Sequence, residues 1–245
     1  MSITLAQTYS AIGYANTASF QGIGGSAPYT YSVEELGAGG TINASSGIYT
    51  APSILNSSPN HAYDTILAVD QMGSVSTAQI LIGTPLILFC DVIQKFMNLD
   101  MSHCYLWDQK IFQPTDSSLY VIISVESCKI IGNTLSYDSN GNSIQNVNMY
   151  NLLGLDIISR GPAARDQKEL VIAALNSQYS EQQQEKNAFF IGRVSTNFVN
   201  LSHIDGAAIP YRFRISIGFQ YKIQTILPID YFSDFNNPPE VYTNA

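Results

Sequence analysis

Four groupings in this sequence have the residue types that chemistry needs. His103 stands beside Cys104, a base next to a thiol. Ser202, His203 and Asp205 bring the three side-chain types of a hydrolase triad into one short run. Asp138-Ser139-Asn140-Gly141-Asn142 offers oxygen ligands of the kind that hold calcium. The clusters GIGG at Gly22–Gly25 and GAGG at Gly37–Gly40 have the glycine density of phosphate-cradling loops. Each fails on spacing or context. Successive residues of a strand point to opposite faces, which parts His103 from Cys104. No G-x-S-x-G elbow supplies a nucleophile for His203 and Asp205, so SHIDGAAIP reads as a loop between strands. In the acidic run the Gly is fourth rather than sixth and no Glu closes the loop. Its Asn140-Gly141 is instead a hairpin-turn signal, and the hairpin it tops is a candidate for assembly contacts. No GK[ST] follows either glycine cluster, so both read as strand-to-strand turns. The sequence predicts no enzyme, no metal and no cofactor.

One charge feature remains. From Tyr211 to Leu227 the run YRFRISIGFQYKIQTIL alternates almost without fault. Tyr211, Phe213, Ile215, Ile217, Phe219, Tyr221 and Ile223 share one face of a strand, and Arg212, Arg214, Ser216, Gln220 and Lys222 share the other. At about 3.3 Å per residue such a strand reaches roughly 55 Å, which suits bending or pairing across subunits. The basic face of Arg212, Arg214 and Lys222 suits a subunit seam, where a neighbour's carboxylates meet it, or the lumen of a ring. A solvated outer face is the other reading of the same pattern.

The elements that position these residues differ between two halves. Lys and Arg are absent from the first 94 residues, and all 11 lie from Lys95 onward. With Gly83-Thr84-Pro85 at the edge, this shift predicts two domains, residues 1–84 and 85–245. The first half reads as short strands with glycine-rich turns (ASFQGIGG, YTYSVEEL, TINASSGIYTAP, DTILAVDQMG, SVSTAQILIG), the pattern of an all-β sandwich. In the second, Thr84 caps a helix with Pro85 in its first turn, and Leu86, Phe89, Cys90, Ile93, Phe96 and Met97 recur at helical spacing. Strands follow near Cys104–Trp107, at LYVIISVESCKII and at MYNLLGLDIIS, the last two joined by the Asn140-Gly141 hairpin. A second helix, AARDQKELVIAALNSQYSEQQQ, stripes Leu170, Val171, Ala174, Leu175 and Tyr179 on one side and turns its Gln run to solvent. This half is α+β, a mainly antiparallel sheet with two helices.

Composition narrows the class of function. A net charge of −8 excludes a grip on nucleic acid, which rests on clustered Lys and Arg, but allows DNA as passing cargo. Charged residues make up 12% of the chain, about half the usual share, which fits surfaces that lie against other proteins. Cys90, Cys104 and Cys128 show no CxxC spacing and read as reduced, small buried hydrophobes. MSITLAQTYS does not have the form of a signal peptide, and PLILFCDVIQKFM is interrupted by Asp91 and Lys95, so no membrane partner is expected.

Two resemblances add to this reading. SFQGIGGSAPYTYSV, then GAGGTINASSGIYTAPS, then DTILAVDQMGSVSTAQILI resemble the bacterial immunoglobulin-like domains across most of residues 1–84. The resemblance implies a display module. An adhesin or carbohydrate-binding module working through this domain would stack sugars on Tyr29, Tyr31 and Tyr49, taken as exposed. The order of elements in residues 85–245 resembles the neck and tail-terminator proteins of tailed bacteriophages. The matching segments are Leu155–Ala164, a strand leading into a helix, and Arg212–Tyr221, a late closing strand. That family implies a homo-oligomeric ring, usually a hexamer, which caps the tail tube and meets tube, sheath or head-completion proteins. Such a protein sits in the neck or tail of the virion, assembled in the host cytoplasm. The added front domain leaves open whether the ring is the terminator or a neighbouring neck or collar ring.

Overall fold

The computed structural model describes residues 2–53, 61–106, 116–139, 142–194, 197–202 and 211–227. Short strands open the chain: β1 (Ile3–Leu5), β2 (Tyr9–Ile12), β3 (Thr17–Ser19), β4 (Gly22–Gly24), β5 (Thr30–Leu36), β6 (Thr41–Ile42) and β7 (Ile48–Thr50). Longer β8 (His61–Val69) and β9 (Val75–Gly83) follow. They form one sheet in the order β2-β9-β8-β5, a second in the order β3-β7-β6, and a β1-β4 pair. The first two enclose a core that includes Ile12, Phe20, Tyr49, Ile66, Ile80 and Ile82, all fully buried. This part is a β-sandwich, as its alternation predicts. Its first two strands are too short to show a period, and GIG at Gly22–Gly24 is strand β4 rather than a turn.

Local chemistry fixes the sandwich's turns. Gly47 has φ 68°, and a Cβ there would strike the Phe20 carbonyl, so the β6–β7 turn requires glycine. Asp64, fully buried on β8, accepts hydrogen bonds from Ala38 N (2.7 Å), Gly40 N (3.0 Å) and Tyr49 Oη (2.5 Å). One carboxylate thereby satisfies donors from the loop after β5 and from the facing sheet.

β9 passes directly into α1 (Pro85–Met97), where Thr84 Oγ1 accepts from Ile87 N and Pro85 occupies the first turn. A 3-10 turn (Met101–His103) leads to β10 (Cys104–Leu106), then to β11 (Tyr120–Tyr137) and β12 (Ser143–Ser159). Next come α2 (Ala163–Leu175), α3 (Gln178–Asn187), β13 (Phe189–Ile191), β14 (Val199–Asn200) and β15 (Tyr211–Leu227). The strands form one sheet in the order β10-β11-β12-β15-β13, with β14 also on β15. β10 runs parallel to β11, and the other pairs are antiparallel. Among the described residues three α-helices pack on this sheet where two were expected. The long helix breaks at Asn176-Ser177, and the Ser177 hydroxyl accepts from Ser180 N at 3.1 Å to start α3. The Gln run does not all face solvent: Gln183 is buried, as is Asn187 at the end of α3.

Two cores meet where the sandwich touches the helices. Ala11 of β2 and Leu81 of β9 point away from the sandwich interior and join the core of α1, α2 and the six-stranded sheet. Asp91 of α1, also buried, accepts from Tyr9 Oη of β2 (2.5 Å) and from Tyr179 Oη of α3 (2.6 Å). Asn187 Oδ1 accepts from Gly13 N at 2.8 Å, and Lys186 Nζ donates to Ser10 Oγ at 2.6 Å. The surfaces lock by apolar contact and by hydrogen bonds between parts of the chain distant in sequence.

Candidate functional site

β11, β12 and β15 have 18, 17 and 17 residues, far more than the helices can cover. Near Val121–Ile123, Leu153–Ile157 and Phe213–Phe219 their helix-side face is buried in the core. Beyond that level the three strands continue as an arm. Burial along β11 changes from complete at Tyr120–Ile123 to exposed over nearly all of Val125–Tyr137. In register, the helix-side face of the arm carries Ile130, Met149, Val147, Ile223, Leu135 and Tyr137, interrupted by Asn133, Gln145, Thr225 and Ser143. Ile130 is 65% exposed and Leu135 62%. The opposite face carries Lys129, Asn148, Lys222, Thr134, Asn146 and Gln224, together with Tyr150, Ile144 and Ile226. The helix-side face of the arm is therefore uncharged and mostly apolar, and it continues the core surface past its helical cover, while the lysines of the arm lie on the other face. Among the described residues, β11 beyond Ile123 and β15 beyond Tyr221 also have no strand on their outer edges.

A charged knot ties the root of the arm on the face away from the helices. Alternation sets Arg212 and Arg214 on that face of β15, and the register puts Asp156 of β12 opposite Arg214. Asp156 receives Arg212 Nε (3.3 Å) and Nη2 (3.1 Å) together with Arg214 Nη1 (3.0 Å). Glu126 is the extra residue of a bulge between Val125 and Ser127, which turns its carboxylate inward. It accepts from Arg214 Nε (3.0 Å), Arg214 Nη2 (2.7 Å) and Ser216 Oγ (3.0 Å). Gly154 makes room, because a Cβ there would collide with both the Arg214 guanidinium and Glu126. The carboxylates expected from a neighbouring subunit thus come from the same chain. The knot leaves Lys222, exposed on the polar side of the arm, as the basic residue of the three outside it. Sequence reading missed Glu126, Asp156 and Gly154, since their meeting depends on a bulge and on strand register.

The remaining candidates separate. Asp138 closes the hairpin: its N–H donates to the Asn142 carbonyl at 3.0 Å, and its Oδ1 accepts from Asn142 N at 2.8 Å. Asn140 and Gly141 lie outside the described residues, as do His203 and Asp205. The expected exposed aromatic surface is corrected. Tyr31 and Tyr49 are buried, with Tyr31 Oη accepting from Gly22 N and Tyr49 Oη bound to Asp64. Tyr29 is half-buried and donates to the Gly24 carbonyl at 2.7 Å. All three rings use their hydroxyls within the sandwich, so no row of tyrosines is presented to a sugar. His103 and Cys104 diverge: the imidazole lies against the Tyr120 ring, and the Cys104 thiol is buried beside the Cys90 carbonyl. Cys128, expected inside, is exposed on the arm.

Beside the junction a cleft of about 350 Å³ is lined by Tyr9, Tyr63, Gln79, Asp91, Gln94 and Lys95, among others. Burial pushes the Asp91 carboxyl above its ordinary value, against the hydrogen bonds from Tyr179 and Tyr9 and the nearby Lys95. Burial and the Asp91 charge push the Tyr63 phenol up to about 12. Both Asp91 oxygens are taken by tyrosine hydroxyls and the Lys95 ammonium sits over the Tyr9 ring, so these groups hold elements together. Among the described residues, no three or more of His, Cys, Asp and Glu stand together as a metal site. No described helix is long and apolar enough to cross a membrane.

No family model matches the chain, and no curated protein matches it. Among solved structures, it is similar to the human desmocollin-1 ectodomain (11% identity, 64% of this chain and 37% of that chain, TM-score 0.28). It is also similar to Drosophila N-cadherin EC1-4 (13% identity, 66% and 46%, TM-score 0.28). Protocadherin gamma B7 extracellular cadherin domains 1-4 match at 10% identity over 93% of this chain and 49% of that chain, with TM-score 0.29. The chain spans less than half the length of each of these structures. Overlap at this level establishes neither a family nor a shared activity.

Proposed function

We propose that this chain is a structural virion protein of a tailed bacteriophage. Residues 85–245 form an α+β ring-building domain at the neck or the top of the tail, and residues 1–84 form an immunoglobulin-like domain that projects from it. A ring of copies, six in the resembling family, ends the tail tube and joins it to the head-completion proteins. DNA passes through as cargo. The work of the protein is assembly, with no bond made or broken.

The observation that carries this reading is the arm. A three-stranded sheet with an uncovered apolar face and open edges is costly to leave in water and suits contact with another subunit. The charged knot at its root holds the arm to the body without consuming its outer surface. The low share of charge along the chain fits surfaces buried in a particle.

Immunogold labelling of phage particles, using antibodies raised against the purified chain, tests the location. Gold at the head–tail junction is the expected result. Label confined to the host cell surface or to soluble host fractions overturns it.

A further inference from the structure

We propose that the apolar face of the arm is covered by the body of a second copy of this chain, laid head-to-tail. The proposal rests on the ring reading above and names the contact that closes the ring.

Three observations select this occupant. The face is continuous with the chain's own core: the rows that hold Leu153, Ile215 and Ile217 under the helices run on into Val147, Ile223 and Leu135. From the Cys128–Asn151–Phe219 row to the tip it carries no charged side chain, and its apolar residues outnumber the polar Asn151, Asn133, Gln145, Thr225 and Ser143, a composition closer to permanent contacts between identical chains than to transient ones. Its size excludes the simplest alternative. From the Cys128 row to its tip, an arm of about ten residues by three strands presents roughly 33 Å by 14 Å, about 460 Å². Two arms stacked by a two-fold axis fall well short of the roughly 800 Å² that each partner gives to a stable interface. Laid on a neighbour's body, the arm engages its face and an edge, and each copy gives one contact and receives another, which closes a ring. Along the β11 edge Glu126 is turned onto Arg214, and Lys129 alone gives the charged protection that open edges usually carry.

Cys128 reports on this face. It is exposed at the root of the arm, while Cys90 and Cys104 are buried. The full-length chain is treated with N-ethylmaleimide at concentrations above and below assembly and weighed intact. The assembled chain is expected to label at Cys128 at least 10-fold more slowly than the dissociated chain. The double variant Ile130→Lys/Leu135→Lys is expected to be monomeric and to label quickly, while Thr134→Lys on the polar face assembles like the parent. A ring whose Cys128 labels as fast as the dissociated chain overturns the proposal and leaves the ring reading standing. So does a ring that persists in a folded double variant, whereas a two-fold dimer that grows no further removes the ring reading as well. A parent chain that assembles at no concentration removes both. If the double variant fails to fold by circular dichroism, the labelling of the parent chain decides alone.

Discussion

Asp91 shows how one buried carboxylate can serve structure at a cost that depends on pH. Tyr9 and Tyr179 donate to its two oxygens, joining the sandwich, α1 and α3 at one point. Burial nonetheless raises its pKa. A raised acid holds its proton more tightly when folded than unfolded. Its contribution to stability is therefore greatest below the unfolded value near 3.8 and is lost as pH rises through the folded value. Asp91→Asn cannot ionise and escapes that loss. The melting temperature of the variant minus that of the parent is expected to become more positive between pH 4 and pH 7, by scanning calorimetry. A difference that stays flat or falls contradicts the assignment. Little of this was legible in the sequence, where Asp91 looked like an interruption in an apolar helix. The same limit explains Tyr31 and Tyr49: their types suit an exposed sugar platform, and the partners that bury them, Gly22 and Asp64, lie 9 and 15 residues away.

Elements were legible where one signal dominated. β15 reads directly, because Phe213, Ile215, Ile217 and Phe219 alternate with polar residues and a one-residue slip would put them in water. α1 reads from its Thr84 cap and Pro85. The break between α2 and α3 did not, since Ser177 is an ordinary helix-surface residue until its hydroxyl caps a new turn. The charged knot was half legible: Arg212 and Arg214 announced a basic face, but the bulge at Glu126 and the register of Asp156 exist only in the folded sheet. Asp156 is 4% exposed while its arginine partners are 23% and 28% exposed. Asp156→Ala leaves two guanidinium groups short of their carboxylate, and a loss of about 2–3 kcal/mol is expected by urea denaturation. The loss should shrink when Arg212 and Arg214 are both replaced by Ser. Additive effects of the three changes would show that the knot is not a coupled unit.

At the scale of the whole molecule, the sandwich and the sheet–helix body share a boundary rather than a linker. Gly83 ends β9, Pro85 begins α1, and Ala11 and Leu81 belong to the neighbouring core. The composition shift at Lys95 falls within α1, and nothing in it announced the hydrogen bonds of Asn187 and Lys186 that fasten the sandwich to the helices. In a ring, such fastening carries every sandwich at a fixed angle, so its contacts would repeat around the circumference. The ring requires the arm to be an assembly device. The most direct measurement is the mass of the full-length chain by native mass spectrometry across a concentration series. A single closed species near six copies, with no ladder of larger open forms, is the predicted result. A monomer at every concentration, or a mass that keeps growing without closing, would contradict it.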